Sequence, residues 1–525
     1  MKQQVNLTER NRDYAVFLPS ISGFYQTFIS KQQETGDYVP QDRIPAEFEN
    51  GIEGCNFLNK EQAYYDYKWA LYSAGHAQLD TTKSNVEERM IQQRDRPNTF
   101  ILGDSGGYQI ATGVIKFDWP NFFETPNQPN YVGEADKLRQ RIVNWLEHTA
   151  DYSMILDVPS WAARPPLNKK TGLSNIQECL NATQFNSDFI LRNRQGKTKY
   201  LNVLQGSDDI EADLWYDEVK HLPFEGWAMG GNNMQDMKLF LRRMINLRDD
   251  KLLEKGERDL IHVLGTGLLE WSVMLTAVKR KLRETVNSDL EICFDCASPF
   301  LATAYGQIYT QHVHQNDRFS YIMDKALDDK RLADSTIPLP WTSPIAERLN
   351  MGDICWYKPG MLNKLGKEGK TSWDSFSYFL MMAHNVYQHI ESVQRSNALT
   401  DAVVASSDVD LYDWQKKLKQ KSKIGEVNKW VPRNLVYFYE LVDKVFASEK
   451  PMDVINNNIV SMADLQSVVE GTNADGANNL YPASSEYSND NAELAQGFKV
   501  TDFAVKDEYG NWVNTIESIV FTSPE

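Results

Sequence analysis

Residues 99–109 read TFILGDSGGYQ, and residues 290–299 read LEICFDCASP. Each is a short apolar run that stops at an aspartate and passes into small or glycine-rich residues. Four runs between them have the same form: SMILD ending at Asp157, YLNVLQG with Gln205, GWAMGG with Gly230 and Gly231, and IHVLGTG around Leu264 and Gly265. Short runs of this kind fit strands buried on both faces of a parallel sheet. The stretches ADKLRQRIVNWLEHTADY, DIEADLWYDEVKHL, MKLFLRRMINL and LLEWSVMLTAVKRKL carry apolar residues at helical spacing. Strands alternating with helices predict an α/β fold on a parallel sheet.

Six successive strands place their polar cluster at the C-terminal end, where a (β/α)8 barrel gathers its active site. A doubly wound sheet would concentrate its contacts at one switch point. No G-x-G-x-x-G follows an early strand, and no G-x-x-x-x-G-K-[ST] occurs. The sequence therefore predicts a (β/α)8 TIM-type barrel with insertions over residues 1–395. PSWAARPPLNKKTG from Pro159, with a helix from Ser174, reads as an enlarged βα unit. Residues 396–525 read as a mainly helical C-terminal extension, broken near Pro432, with a linker-like stretch at 470–497 and a hairpin around Tyr509-Gly510-Asn511.

Composition narrows the function classes. The chain has 525 residues, 55 Lys+Arg against 72 Asp+Glu, and a net charge of −17, so a nucleic acid would have to meet a local basic patch. No apolar run approaches the ~20 residues that span a bilayer. The N-terminal MKQQVNLTERNRDYAVF has no apolar core of a secretory signal, and five cysteines are too few for a disulfide framework. The expectation is a soluble cytoplasmic protein (host cytoplasm if phage-encoded) with no membrane partner. Its oligomeric state stays open, a homo-oligomer included.

Asp104 and Asp295, paired carboxylates at a barrel mouth, suit substitution at a sugar C1 carbon: one attacks or stabilises the cationic centre, and the other handles the leaving group's proton. A lone strand-end aspartate more often caps the following helix; Asp104, Asp157 and Asp295 on one rim form a constellation. Gly106 and Gly107 after Ser105, with Gly230 and Gly231, let backbone approach a flat ligand. Tyr108 offers an aromatic face and Gln205 a two-sided amide.

Taken in order, DSGGYQ, ILD, LQGS, WAMGG, HVLGTG and FDCASP closely resemble the motif set of the tRNA-guanine transglycosylases, over roughly residues 95–310. The resemblance implies a (β/α)8 barrel that exchanges guanine in nucleic acid for a 7-deazaguanine, leaving the backbone intact. It implies Asp295 as nucleophile at C1′ and Asp104 as general acid–base. It also implies a base pocket with Ser105, Gly106, Asp157, Gln205, Gly230 and Gly231, in which Tyr108 and Leu264 sandwich the base.

Three departures qualify this. The family's arginine after the nucleophile is missing, since Asp295 is followed by CASPFLAT. The family's zinc ligands have as counterparts only Asp353, Cys355, Lys358 and His384, in a degenerate zinc-type subdomain near 350–390. A lysine is no ordinary zinc ligand, so no cofactor is expected, zinc included, and an apolar core around Trp356, Phe376, Tyr378 and Phe379 is expected in its place. The extension carries Lys416, Lys417, Lys419, Lys421 and Lys423 beside Trp414 and Trp430, read as a phosphate-contacting patch or a solvated helix face. These departures make the chain most similar to the DNA-directed branch of the family, phage and bacterial enzymes that insert 7-cyano-7-deazaguanine (preQ0) or a relative into DNA and so protect it from restriction. The expected partners are DNA and such a base. The alternatives are an enzyme acting on tRNA, a non-catalytic paralogue, and a barrel glycosidase.

Overall fold

The computed structural model describes residues 4–123, 133–315, 318–358, 360, 362–363, 370–405, 411–423, 429–458, 504–506 and 512–514. Eight parallel strands form the barrel: β1 (Val16–Pro19), β2 (Trp69–Ser73), β3 (Phe100–Asp104), β4 (Tyr152–Met154), β5 (Lys199–Leu204), β6 (Trp227–Met229), β7 (Leu260–Val263) and β8 (Glu291–Cys296). They are ordered β1-β8-β7-β6-β5-β4-β3-β2. A parallel bridge between Ser20 and Leu71, with Ile21 N–H donating to the Leu71 carbonyl at 2.9 Å, joins the two ends and closes the ring. This is the TIM-type architecture that the strand–helix alternation predicts.

Among the helices around it, in chain order, are α1 (Gly23–Thr35), α2 (Gly107–Thr112), α3 (Glu134–Thr149), α4 (Ile176–Asn193), α5 (Asp209–Val219), α6 (Met237–Asp249), α7 (Leu269–Thr285), α8 (Ser298–Ala304) and α9 (Ser375–Val404). Polar caps set where several of them begin. The side chains of Asn175, Asp208 and Asp236 accept the free amides at the starts of α4, α5 and α6. The helix expected from Ser174 thus starts two residues later, at Ile176. Inward faces bury Trp145, Trp215 and Trp271, and Trp227 is buried on β6.

An antiparallel hairpin, β9 (Gln307–Gln315) and β10 (Arg318–Lys325), separates α8 from α9. Helix α9 fills the place of the eighth barrel helix: His389 stacks on Phe17 of β1 at 4.2 Å between ring centroids. The boundary expected after residue 395 falls inside this 30-residue helix, which stays buried through Ser396, Asn397, Thr400 and Ala402. A break there is corrected: periodicity runs through the point, and only composition changes. Helices α10 (Asp413–Lys421) and α11 (Arg433–Ala447) follow, with Pro432 capping α11 as the expected break. Strands Ala504–Lys506 and Trp512–Asn514 pair antiparallel. The turn of that hairpin and the stretch 470–497 lie outside the described residues.

In the region of the degenerate zinc-type subdomain near 350–390, the polar centre is an ion pair. The Arg43 guanidinium, 3% exposed, donates to both oxygens of Asp374, at 2.7 and 2.9 Å, and lies over the rings of Trp356 and Phe376. Asp374 also caps α9. Phe376 stacks on Phe379, which stacks on Tyr25 and Phe28. Removing one partner of a buried pair strands the other charge. Arg43→Ala is therefore expected to lose about 3 kcal/mol of stability in urea denaturation, and Asp374→Asn, which keeps the cap, to lose less.

Candidate active site

The C-terminal ends of the strands open into a cavity of about 430 Å³, walled among others by Asp104, Tyr108, Asp157, Gln205, Leu264 and Asp295. That volume suits one small flat molecule. Asp295, near the end of β8, is 9% exposed. Its Oδ2 accepts from the Ser20 hydroxyl at 2.6 Å. Its Oδ1 accepts from the Gly265 amide at 2.9 Å and faces His262 Nε2 at 3.1 Å. Asp104 ends β3; its Oδ2 accepts from the Ser73 hydroxyl at 2.6 Å and its Oδ1 from the Gly106 amide at 3.0 Å. Gly106 is left-handed, with φ +80°, which lets the chain fold its amide back onto that carboxylate.

Asp157 does not end a strand, since β4 stops at Met154 and Asp157 lies three residues on. Its Oδ2 accepts from Gln205 Nε2 at 2.8 Å. Gln205 lines the cavity, and its Oε1 is buried without a hydrogen-bond partner, an acceptor that an N–H donor would satisfy. A β-carbon on Gly230 would come within 2.7 Å of Gln205 Nε2, and one on Gly231, at φ +54°, within 2.1 Å of the Gly206 carbonyl oxygen. Tyr108, 37% exposed, meets Trp161 edge-on at 5.6 Å between centroids.

Burial raises the Asp104 pKa; its hydrogen bonds to Ser73 and Gly106 oppose this, the Asp295 charge adds to it, and the net shift is upward. Burial, with a contribution from the Asp104 charge, lifts Asp157 to about 7 against the pull of Gln205. Burial pushes Asp295 up as well, but His262, Ser20 and the Gly265 amide outweigh it, and its pKa ends below the ordinary value. His76, also on the wall, is lowered by burial to about 4 and is neutral near pH 7. One carboxylate is thus held ionised beside two that hold protons more readily, the separation that acid–base and nucleophilic roles require.

Several sequence expectations need correction. Ser105 is 1% exposed and donates to the Ile155 carbonyl, Gly106 donates its amide to Asp104, and neither is among the residues that wall the cavity. Sequence reasoning misses Ser20, Ser73, His262 and Trp161. The nearest signals are the motifs themselves, since His262 lies inside HVLGTG and Trp161 inside PSWAARPP.

The four degenerate zinc positions do not fit a metal. Asp353 caps the Asn350 amide, Cys355 Sγ contacts the Leu327 carbonyl, and Lys358 pairs with Asp334 at 3.2 Å. His384 engages Ser343 and the Tyr309 carbonyl through its two ring nitrogens, both at 2.8 Å. Among the described residues no three His, Cys, Asp or Glu side chains form a metal-holding group, and no helix is long and apolar enough to cross a membrane.

The lysine stretch is displaced from the cavity. Gln415 of α10 donates to the Ala398 carbonyl, and Arg12, just before β1, lies over the Tyr412 ring at 4.2 Å. Helix α10 therefore sits at the N-terminal end of the strands, opposite the mouth. Lys419 is 8% exposed and leaves the patch, while Lys416, Lys417, Lys421 and Lys423 face solvent.

Because folding raises the Asp157 pKa, the folded state binds its proton more tightly, and the residue costs stability as pH rises from about 4 through about 7. Asp157→Asn is expected to match the wild type at pH 4 and to exceed it at pH 8 by on the order of 2 kcal/mol in urea denaturation.

No family model and no curated protein matches this chain.

Proposed function

We propose that the chain is a base-exchange enzyme that replaces guanine in DNA by a 7-deazaguanine such as preQ0 through a covalent aspartyl-nucleotide. The observation that carries this reading is the opposed tuning of two aspartates on one cavity, Asp295 downward and Asp104 upward. A lone pair of the Asp295 carboxylate bonds to C1′ of the flipped-out nucleotide, and the C1′–N9 electron pair leaves with guanine, which takes a proton from Asp104. The incoming base gives its proton to Asp104 and attacks C1′, and the C1′–O pair returns to Asp295. Asp157 and Gln205 Oε1 read the base edge, and the Gly230–Gly231 backbone leaves space for the ring.

DNA is favoured over tRNA by the segment after the nucleophile. Helix α8 stands where the resembled tRNA enzymes carry arginine, and Pro299 to Ala304 are buried, with Phe300 edge-on to Tyr25 at 5.4 Å. Phosphates would meet the exposed Arg164, Lys169 and Lys170, which come after Trp161 on the rim.

The test incubates purified protein with labelled preQ0 and either duplex DNA or tRNA, then digests to nucleosides for mass spectrometry. Incorporation into DNA is expected, with little into tRNA; good exchange on tRNA alone would overturn the choice of polymer and keep the chemistry. Asp295→Asn is expected to abolish exchange with the fold intact, because an amide is no anionic nucleophile; substantial residual exchange would remove Asp295 from that role.

Replacing Lys169 and Lys170 by alanine should weaken DNA binding equally across sequences and flatten its salt dependence. The same change at Lys416, Lys417 and Lys421 should leave binding at the mouth unaltered, as read by titration at several salt concentrations.

A further inference from the structure

Beneath the nucleophile lies a chain of side chains that the exchange scheme leaves unused. His262 on β7 is fully buried and pairs in register with Cys293 on β8. Its Nδ1 lies 3.3 Å from Cys293 Sγ and its Nε2 3.1 Å from Asp295 Oδ1. Burial keeps the Cys293 thiol protonated, so the sulfur can donate. An ionised carboxylate can only accept. The tautomer that satisfies both neighbours carries its proton on Nε2: Cys293 S–H donates to Nδ1, and Nε2–H donates to Asp295.

A carboxylate offers about four in-plane lone-pair directions. On Asp295 three are taken: two on Oδ1, by His262 and the Gly265 amide, and one on Oδ2, by Ser20. The remaining one is on Oδ2. We infer that His262 is a positioning residue that makes Oδ2 the attacking oxygen and Oδ1 the oxygen that takes up charge when Asp295 departs. The inference rests on the proposed exchange chemistry.

The two half-reactions use this differently. In the first, Oδ2 donates a pair to C1′ and Oδ1 becomes the ester carbonyl, still holding two donors. In the second, the C1′–Oδ2 pair returns to the carboxylate, and negative charge grows on Oδ1 in front of His262 Nε2–H and the Gly265 N–H. Donors fixed where charge develops assist the step in which it develops. In the first step the same donors reduce the basicity of the attacking group. Loss of His262 therefore falls mainly on release.

The experiment tracks single turnovers on a guanine-containing DNA duplex, scoring the covalent adduct on denaturing gels and its discharge by added guanine. His262→Leu is expected to slow discharge about tenfold, to leave the rate of adduct formation nearly unchanged, and so to accumulate adduct. His262→Gln, which keeps an N–H donor, should recover most of the discharge rate. Equal slowing of both steps, or a glutamine variant no better than leucine, would overturn the inference. A readout independent of turnover is the imidazole ¹H–¹⁵N spectrum, with the His262 signals assigned by their loss in His262→Gln. Protonation at Nε2 is expected, and protonation at Nδ1 alone would overturn the proposal. If the wild type forms no adduct on DNA or tRNA while the Nε2 proton is seen, the exchange reading fails and the hydrogen-bond assignment survives.

Discussion

Holding carboxylates at the mouth of an apolar barrel is the constraint on which the rest of the site depends. A buried charge survives only where donors replace the water it has lost. The three aspartates receive unequal compensation. Asp295 has Ser20, His262 and the Gly265 amide; Asp104 has Ser73 and the Gly106 amide; Asp157 has the Gln205 side chain. Asp295 ends below the ordinary carboxyl value, Asp104 above it, and Asp157 at about 7. The difference in chemistry among three identical side chains is thus a difference in donors, and the donors come from strands and turns on both sides of the barrel seam.

That dependence explains what could be read without coordinates. Six strands announce themselves through apolar runs that end in Asp, Gln or Gly, and the helices between them through a period of 3.6. The two that escape, Val16–Pro19, which Ser20 follows, and Trp69–Ser73, lie among apolar and aromatic neighbours, AVFLPSISGF and YYDYKWALYSAG, where no charged residue or paired glycine marks the strand's end. They close the barrel, and they bring Ser20 and Ser73 to the two aspartates. Residues with a chemistry of their own are visible in a sequence. Those that act by donating one hydrogen bond across 275 positions, as Ser20 does to Asp295, are not.

Local density of a residue type proved a weaker guide. Lys416 to Lys423 look like one patch in the sequence, yet helical geometry turns Lys419 inward beside Leu418, and chain connectivity carries the whole stretch to the far end of the barrel. The spacing of Asp353, Cys355, Lys358 and His384 likewise says nothing of partners. Each finds a separate one, and an arginine–aspartate pair under aromatic rings holds that part of the fold instead.

Helix α9 has a bearing on how such a chain can change. At ~1.5 Å per residue it runs roughly 40 Å from the Asp374 cap beside Arg43 to Asp401, which receives Arg280 of α7 at 2.6 Å. The barrel's last helix and the extension's first are therefore one rod. A truncation at 395 would remove Asp401 and the buried turn around Asn397, reopening the seam between α7 and α9. The C-terminal segment up to that turn is thus a stave of the barrel, and α11 beyond it is tied to the same helix, burying Leu435, Phe438, Leu441 and Val445 in the core and pairing Asp443 with Lys281 of α7 at 2.7 Å.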